Sequence, residues 1–155
     1  MRAGKIEFLT KTFPEFLHHL KPNAKGKWGK MNAQQMVEHM SESVKIANGT
    51  IPKNIITAPE HLEKARAFML SDKPFRENTK NIELPDEPIP VNHHNMDAAI
   101  EELKYELHVF LTTFEGNEEK TITNPIFGEL NFMEWLHLLH KHAVHHAQQF
   151  GYSEK

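Results

Sequence analysis

Two histidines four residues apart, His142 and His146, are the part of this chain best suited to chemistry. They lie in the run Asn131–Gly151, where five of the twelve histidines fall between positions 137 and 146. In a helix, residues four apart share a face, with Cβ atoms roughly 5–6 Å apart. Two imidazoles so placed can grip one divalent ion, as in other His-x-x-x-His helices. An all-nitrogen set suits Zn²⁺, Ni²⁺, Fe²⁺ or Cu²⁺, so the spacing does not choose the metal.

The helix that must carry the pair has its apolar positions at Phe132, Trp135, Leu136, Leu139, Ala143 and Phe150. Asn131 as N-cap and Glu134 at N3 form a capping box that begins it. At 100° per residue, His146 falls within about 30° of the stripe's centre and His142 within about 70°. The pair therefore points inward or along the seam. His137 and His145 point away and are expected to be solvated, with His140 intermediate. An inward pair reads either as two hydrogen-bonded core histidines or as two ligands. Buried rings each need partners, and a cation between them meets both needs.

A third ligand has to come from a facing helix. A second capping box, Asn32 with Gln35, starts a helix that ends at Asn48-Gly49. Its apolar positions are Ala33, Met36, Val37, Met40, Val44 and Ala47. His39 lies about 110° from that stripe's centre, at its edge, and is the best third candidate. His18, His19, His61, His93, His94 and His108 read as solvated. One competing constellation is present: Glu15…His18 and Glu134…His137 both match the Glu-x-x-His spacing of di-iron carboxylate bundles. Glu15 and Glu134 each sit at N3 of an expected capping box, which ranks that reading last.

Two further helices complete the frame. Phe8, Leu9, Phe13, Phe16, Leu17 and Leu20 are helically spaced, and Thr12-Phe13-Pro14-Glu15 predicts a helix start or a kink. Ile100, Leu103, Leu107, Phe110, Leu111 and Phe114 form the stripe of a helix over roughly Met96 to Phe114, with Asn95 as candidate N-cap. Between helices two and three runs a long Pro-containing connection with one short helix, Glu60 to Leu70. The run Leu84–Pro90 is expected to be extended, and Thr121 to Leu130 a loop. A connection this long serves either as binding loops or as a packed wrap. Four long amphipathic helices with little strand signal predict an all-α four-helix bundle, one domain over 1–155.

Composition narrows the function classes. A net charge of −3 and a pI near 6.5 leave no footprint for nucleic acid. With 12 histidines, that charge turns positive in mild acid if the rings are free to protonate. There is no cysteine, so a thiol nucleophile would have to come from outside the protein. No stretch approaches 18 apolar residues and no leader is visible, so no membrane span is expected and the cytoplasm is the expected compartment.

Three motifs extend the reading. They are Trp28-Gly-Lys-Met-Asn-Ala-Gln-Gln-Met-Val-Glu-His39, Asn124-Pro-Ile-Phe-Gly-Glu-Leu130, and Glu134-Trp135 running on to His142-Ala-Val-His-His-Ala-Gln-Gln-Phe-Gly151. With them the chain resembles the DinB-like superfamily of four-helix metalloproteins, within a subgroup of uncharacterised bacterial proteins. The resemblance implies an up-down-down-up bundle, often a homodimer. It implies a divalent metal held by His39, His142 and His146, with water completing the shell. It gives Gln149 a place beside the metal or in the pocket. It also implies hydrolase or thiol-transferase chemistry on a small-molecule substrate, although the pocket loops depart from the best-understood transferases.

Three imidazoles with open positions are the pattern of a catalytic metal rather than a closed structural one. Such an ion would lower the pKa of bound water toward about 7 or hold an external thiol as thiolate. Ligand histidines usually give their other N–H to a carboxylate or carbonyl, and Glu38, Glu42, Glu102 and Glu106 are the candidate acceptors. The leading reading is a metal-dependent enzyme. The alternative is a non-enzymatic metal-binding or stress-response bundle, with a filled shell and no substrate-sized pocket.

Overall fold

The computed structural model describes residues 1–77 and 87–153. The described residues are mostly helical, with one small two-stranded sheet among them. Leu84–Asp86 of the expected extended run lie outside the described residues.

The first helical stretch begins earlier than its sequence suggests. α1 (Arg2–Glu7) continues through a π-helical turn, Phe8–Thr12, into α2 (Phe13–His18). Thr12 is itself α-helical, at φ −62° and ψ −46°, and its side chain caps nothing, so the box expected of Thr12 and Glu15 is not made. Pro14 supplies the physical reason for a distorted helix rather than a start. It lacks an N–H, and its ring crowds the carbonyl four residues back. A wider π turn absorbs that clash while the helix continues. Phe8, Leu9, Phe13 and Leu17 are buried along this stretch.

α3 (Ala33–Ala47) starts where the capping box predicts. Asn32 accepts from Gln35 N and the Gln35 side chain accepts from Asn32 N, both at 2.9 Å. It stops at Asn48-Gly49, with Gly49 at φ +84°. Every apolar position of its predicted stripe is buried. α4 (Pro59–Leu70) follows, then α5 (Met96–Thr113), where Asn95 caps Ala98 N at 2.8 Å. α6 (Phe132–Gln149) opens on the Asn131–Glu134 box, with both bonds formed.

The segment expected as a loop over Thr121–Leu130 folds as a hairpin. β1 (Ile122–Asn124) pairs antiparallel with β2 (Gly128–Leu130), Ile122 opposite Leu130 and Asn124 opposite Gly128. Strands of three residues are too short to carry a period-2 signal, and tertiary bonds hold them instead. Asn124 Oδ1 accepts from Ile126 N and Phe127 N, closing the turn. Pro125 O accepts from Ile56 N at 2.8 Å, and Trp135 Nε1 donates to Ile122 O at 3.0 Å.

α3 packs along α5, and α6 packs against α1, α3 and α4. Phe110, Phe114 and Phe132 meet ring to ring where α5 and the start of α6 close on each other. Asn48, buried at the end of α3, donates to Glu106 O and Oε1 on α5, which satisfies two buried polar groups at once. Among the described residues, no helix is long and apolar enough to cross a membrane.

Candidate metal centre

α3 and α6 bring the three predicted histidines together. His39 Nε2 lies 3.1 Å from His142 Nε2, which lies 3.0 Å from His146 Nε2. The three ligand atoms all fall within 4.8 Å of one another. One helical turn sets the His142–His146 spacing, and the α3–α6 contact supplies His39. His146 is buried, while His39 and His142 each keep a partly open edge.

The protonation states follow from the surroundings. Burial pushes His39 down to about 4 and His146 down to about 3, the latter with His39 opposing its charge. Burial, then the charges of His146 and His39, hold His142 well below the usual histidine range. All three rings are therefore neutral at physiological pH.

The hydrogen bonds assign one tautomer. Gln149 Nε2 donates to Trp28 O at 2.7 Å, so Gln149 Oε1 is left as the acceptor for His146 Nδ1, also at 2.7 Å. His146 therefore carries its proton on Nδ1, and its Nε2 presents a bare lone pair. His142 Nε2 stands between two other ring nitrogens, and one proton there can serve only one of them. A cation serves all three. An ion about 2.0–2.1 Å from each nitrogen puts neighbouring nitrogens about 2.9–3.4 Å apart for octahedral to tetrahedral angles. The separations from His142 to His39 and His146, 3.1 and 3.0 Å, fall in that range, and the donor set suits a divalent first-row metal.

The three rings line a cleft of about 730 Å³. That is the size of a small-molecule site. Its other walls include Trp28, Phe75, Glu42 and the hairpin tip Asn124–Phe127. Pro88, Ile89 and Asn92 also face it, so parts of the long connection line the cleft as binding loops do.

Several expectations need correction. None of Glu38, Glu42, Glu102 or Glu106 is hydrogen-bonded to a centre histidine; the acceptor found is the Gln149 amide. Glu38 instead accepts from Asn92 N and His93 N, pinning that segment to α3. Glu102 pairs with Lys45 and His93, and Glu106 with Asn48. His93 is thus partnered rather than merely solvated. His145 and His137, expected in water, are half-buried because loops cover them. The His145 ring lies 5.5 Å from Trp28 and 5.9 Å from Phe75, and His137 Nε2 lies 3.1 Å from Ser71 O. His18, His19, His61, His94 and His108 are exposed, as expected.

The di-iron constellation is not assembled. Glu15 and His18 are exposed on α2. Glu134 is held by its capping box and by Arg66, 2.6 Å away.

Lys141 was not legible in the sequence. It is buried, and its Nζ donates to Phe68 O, Met69 O and Ser71 O at 2.9, 3.3 and 3.2 Å. It therefore caps the end of α4, where carbonyls lack helical partners. It also lies 4.4 Å from the Phe68 ring and 5.2 Å from the Phe75 ring. Phe75 in turn meets the His142 ring edge-on, at 6.3 Å between centroids. No periodicity argument distinguishes such a lysine from a solvated one. Comparison with family models, curated proteins and solved structures returns no match, and the centre stands on its own geometry.

Proposed function

We propose that this chain is a metal-dependent enzyme of hydrolase or thiol-transferase type, with one divalent ion held by His39, His142 and His146. The observation that carries the reading is the convergence of three neutral imidazole nitrogens beside a cleft of about 730 Å³. Zn²⁺, Ni²⁺ and Fe²⁺ are the candidate ions. Such an ion supplies Lewis acidity, making a water or an external thiol nucleophilic near neutral pH. The protein's own part is to keep the rings neutral by burial and to present a small-molecule cleft walled by Trp28 and Phe75. The thiol, where the reaction uses one, comes from a co-substrate, because the chain has no cysteine.

The DinB-like superfamily and its up-down-down-up four-helix bundle, as a homodimer, are part of the same proposal. The packing of α3 on α5 and of α6 on α1 and α3 is compatible with it. A purely structural metal site is the second reading. The cleft beside the histidines favours the enzyme over it.

The test is activity of the metal-loaded protein on ester, amide and phosphodiester substrates, and on electrophiles offered with an external thiol. Turnover in one class, lost in His39→Ala, supports the enzyme. Metal binding without turnover in any class supports the structural site.

A further inference from the structure

We propose that Gln149 couples the metal centre to the Gly26–Gly29 loop, so that a loop contributing no ligand sets the affinity and geometry of the centre. The inference rests on the metal-binding reading and goes beyond it. Gln149 is a positioning residue: it acts through His146.

Three hydrogen bonds define the coupling. Gln149 Oε1 is 2.7 Å from His146 Nδ1, Gln149 Nε2 donates to Trp28 O at 2.7 Å, and Gln149 O accepts from Lys27 N at 2.7 Å. The loop holds the amide in one orientation, and the amide holds His146 in one tautomer. The loop itself is fixed at the other end. Ala33 N donates to Ala24 O and Gln34 N to Pro22 O, at 2.9 and 3.1 Å, so it is anchored on the start of the helix that carries His39.

The two glycines are required by the close approach. A Cβ on Gly26 would stand 2.8 Å from Gln149 Cγ and 2.9 Å from Trp28 O. A Cβ on Gly29, where φ is +80°, would stand 2.7 Å from Gln149 Nε2. Either side chain would drive the amide away from His146. Gln149 is buried, so the amide has little room to find another arrangement. Trp28 lines the cleft and lies against His145, so the same coupling places a wall of the cleft relative to the ion.

The variants separate the two ends of the amide. Gln149→Met keeps the volume and loses both bonds. Gln149→Glu can still accept from His146 Nδ1 but cannot donate to Trp28 O. Gly29→Ala changes only a loop residue, and its Cβ presses on the Gln149 amide. Gly116→Ala is the control: Gly116 also has φ near +77°, but nothing lies within 4 Å of a Cβ there.

The measurement is Zn²⁺ affinity of the full chain by competition with a chromophoric chelator, with Co²⁺ spectra reporting geometry. Outer partners of this kind are worth about 10–100-fold in metal affinity. Gln149→Met is expected to bind Zn²⁺ more weakly by that factor, with an altered Co²⁺ spectrum. Gln149→Glu should recover only part of the loss, because His146 Nδ1 regains an acceptor while the anchor on Trp28 O stays broken, and trypsin should cleave at Lys25 and Lys27 faster than in the wild type. Gly29→Ala should weaken Zn²⁺ binding and Gly116→Ala should not. If the wild type binds Zn²⁺ and Gln149→Met and Gly29→Ala match it, the coupling is wrong and the metal centre stands. If the wild type binds no Zn²⁺, both fall. Should Gly29→Ala fail to fold, Gln149→Glu decides: wild-type Zn²⁺ affinity with the Trp28 bond lost would overturn the coupling, and a partial loss would support it.

Discussion

His39 Nε2 stands 3.1 Å from His142 Nε2, although 103 residues separate the two in the chain. Two neutral imidazoles rarely meet nitrogen to nitrogen without something to share, because each lone pair needs a proton or a cation. A third ring, His146, adds its Nε2 at 3.0 Å from that of His142. The contact between α3 and α6 is therefore an expected site of metal-dependent stability.

Zn²⁺ should stabilise the folded chain and a chelator should reverse it. At a free metal concentration 100 times the Kd, binding to the folded state contributes about 2.7 kcal/mol. That corresponds to a rise of roughly 5–10 °C in Tm for a protein of this size. His39→Ala and His142→Ala should lose most of the rise. Thermal melts with and without Zn²⁺ and EDTA check this, and equal shifts in wild type and variants would count against the three-histidine set.

Acid should destabilise the metal-free protein. Burial holds His39 and His140 at about 4 and His146 at about 3. In the unfolded chain each titrates near about 6.5. Between those values the unfolded state binds more protons, so stability rises with pH and falls as pH drops. The contribution is fully present above about pH 6.5 and is lost progressively toward pH 3–4. Urea midpoints of EDTA-treated protein should fall from pH 7 to pH 4.5 and change little from pH 7 to pH 8. A flat profile across the acid range would contradict the burial of these rings.

Lys141→Met should destabilise the fold. The substitution keeps most of the buried stem but leaves Phe68 O, Met69 O and Ser71 O without their shared donor. Phe68 O keeps its bonds from Ser71 N and Oγ, and Ser71 O keeps His137 Nε2 at 3.1 Å. Met69 O is therefore the buried acceptor affected, and leaving one such acceptor unpaired costs about 1–3 kcal/mol. Chemical denaturation measures it. Because Lys141 also packs on Phe75, hydrogen exchange should rise in the segment after α4. Unchanged exchange there would show that the lysine caps α4 without holding the cleft wall.

Asn131→Ala should cost about 1 kcal/mol, the usual value of an N-cap. Asn131 Oδ1 accepts from Glu134 N at 3.0 Å, eleven residues before His142. Stability should fall with little change in metal affinity, because fraying is confined to the first turn of α6. A large loss of affinity would mean that α6 melts further than its first turn.

The sequence made the centre legible because both helices that carry it are regular and capped. Asn32 and Asn131 fix the starts of α3 and α6, so counting at 100° per residue puts His39, His142 and His146 on faces that the fold brings together. The resemblance named the same three. Illegible features depend on contacts between distant segments. His145 looks solvated on a helical wheel, but Trp28 and Phe75 cover it. The hairpin over 122–130 has strands too short to show alternation, and it is held by Ile56 and Trp135. Thr12–Glu15 reads as a helix start or a kink, and the helix in fact continues, widening to pass Pro14. Glu38, Glu102 and Glu106 are engaged elsewhere, Glu42 lines the cleft without bonding a centre histidine, and an amide takes the expected place.

Metal content tests the account most directly. The chain should be purified without a His tag, reconstituted with a divalent ion, desalted and analysed by mass spectrometry for metal per chain. The account predicts one divalent ion per wild-type chain and under about a tenth of that in His142→Ala, consistent with the loss of one of three ligands. A wild type that retains no metal, or a His142→Ala variant that retains a full equivalent, would contradict it.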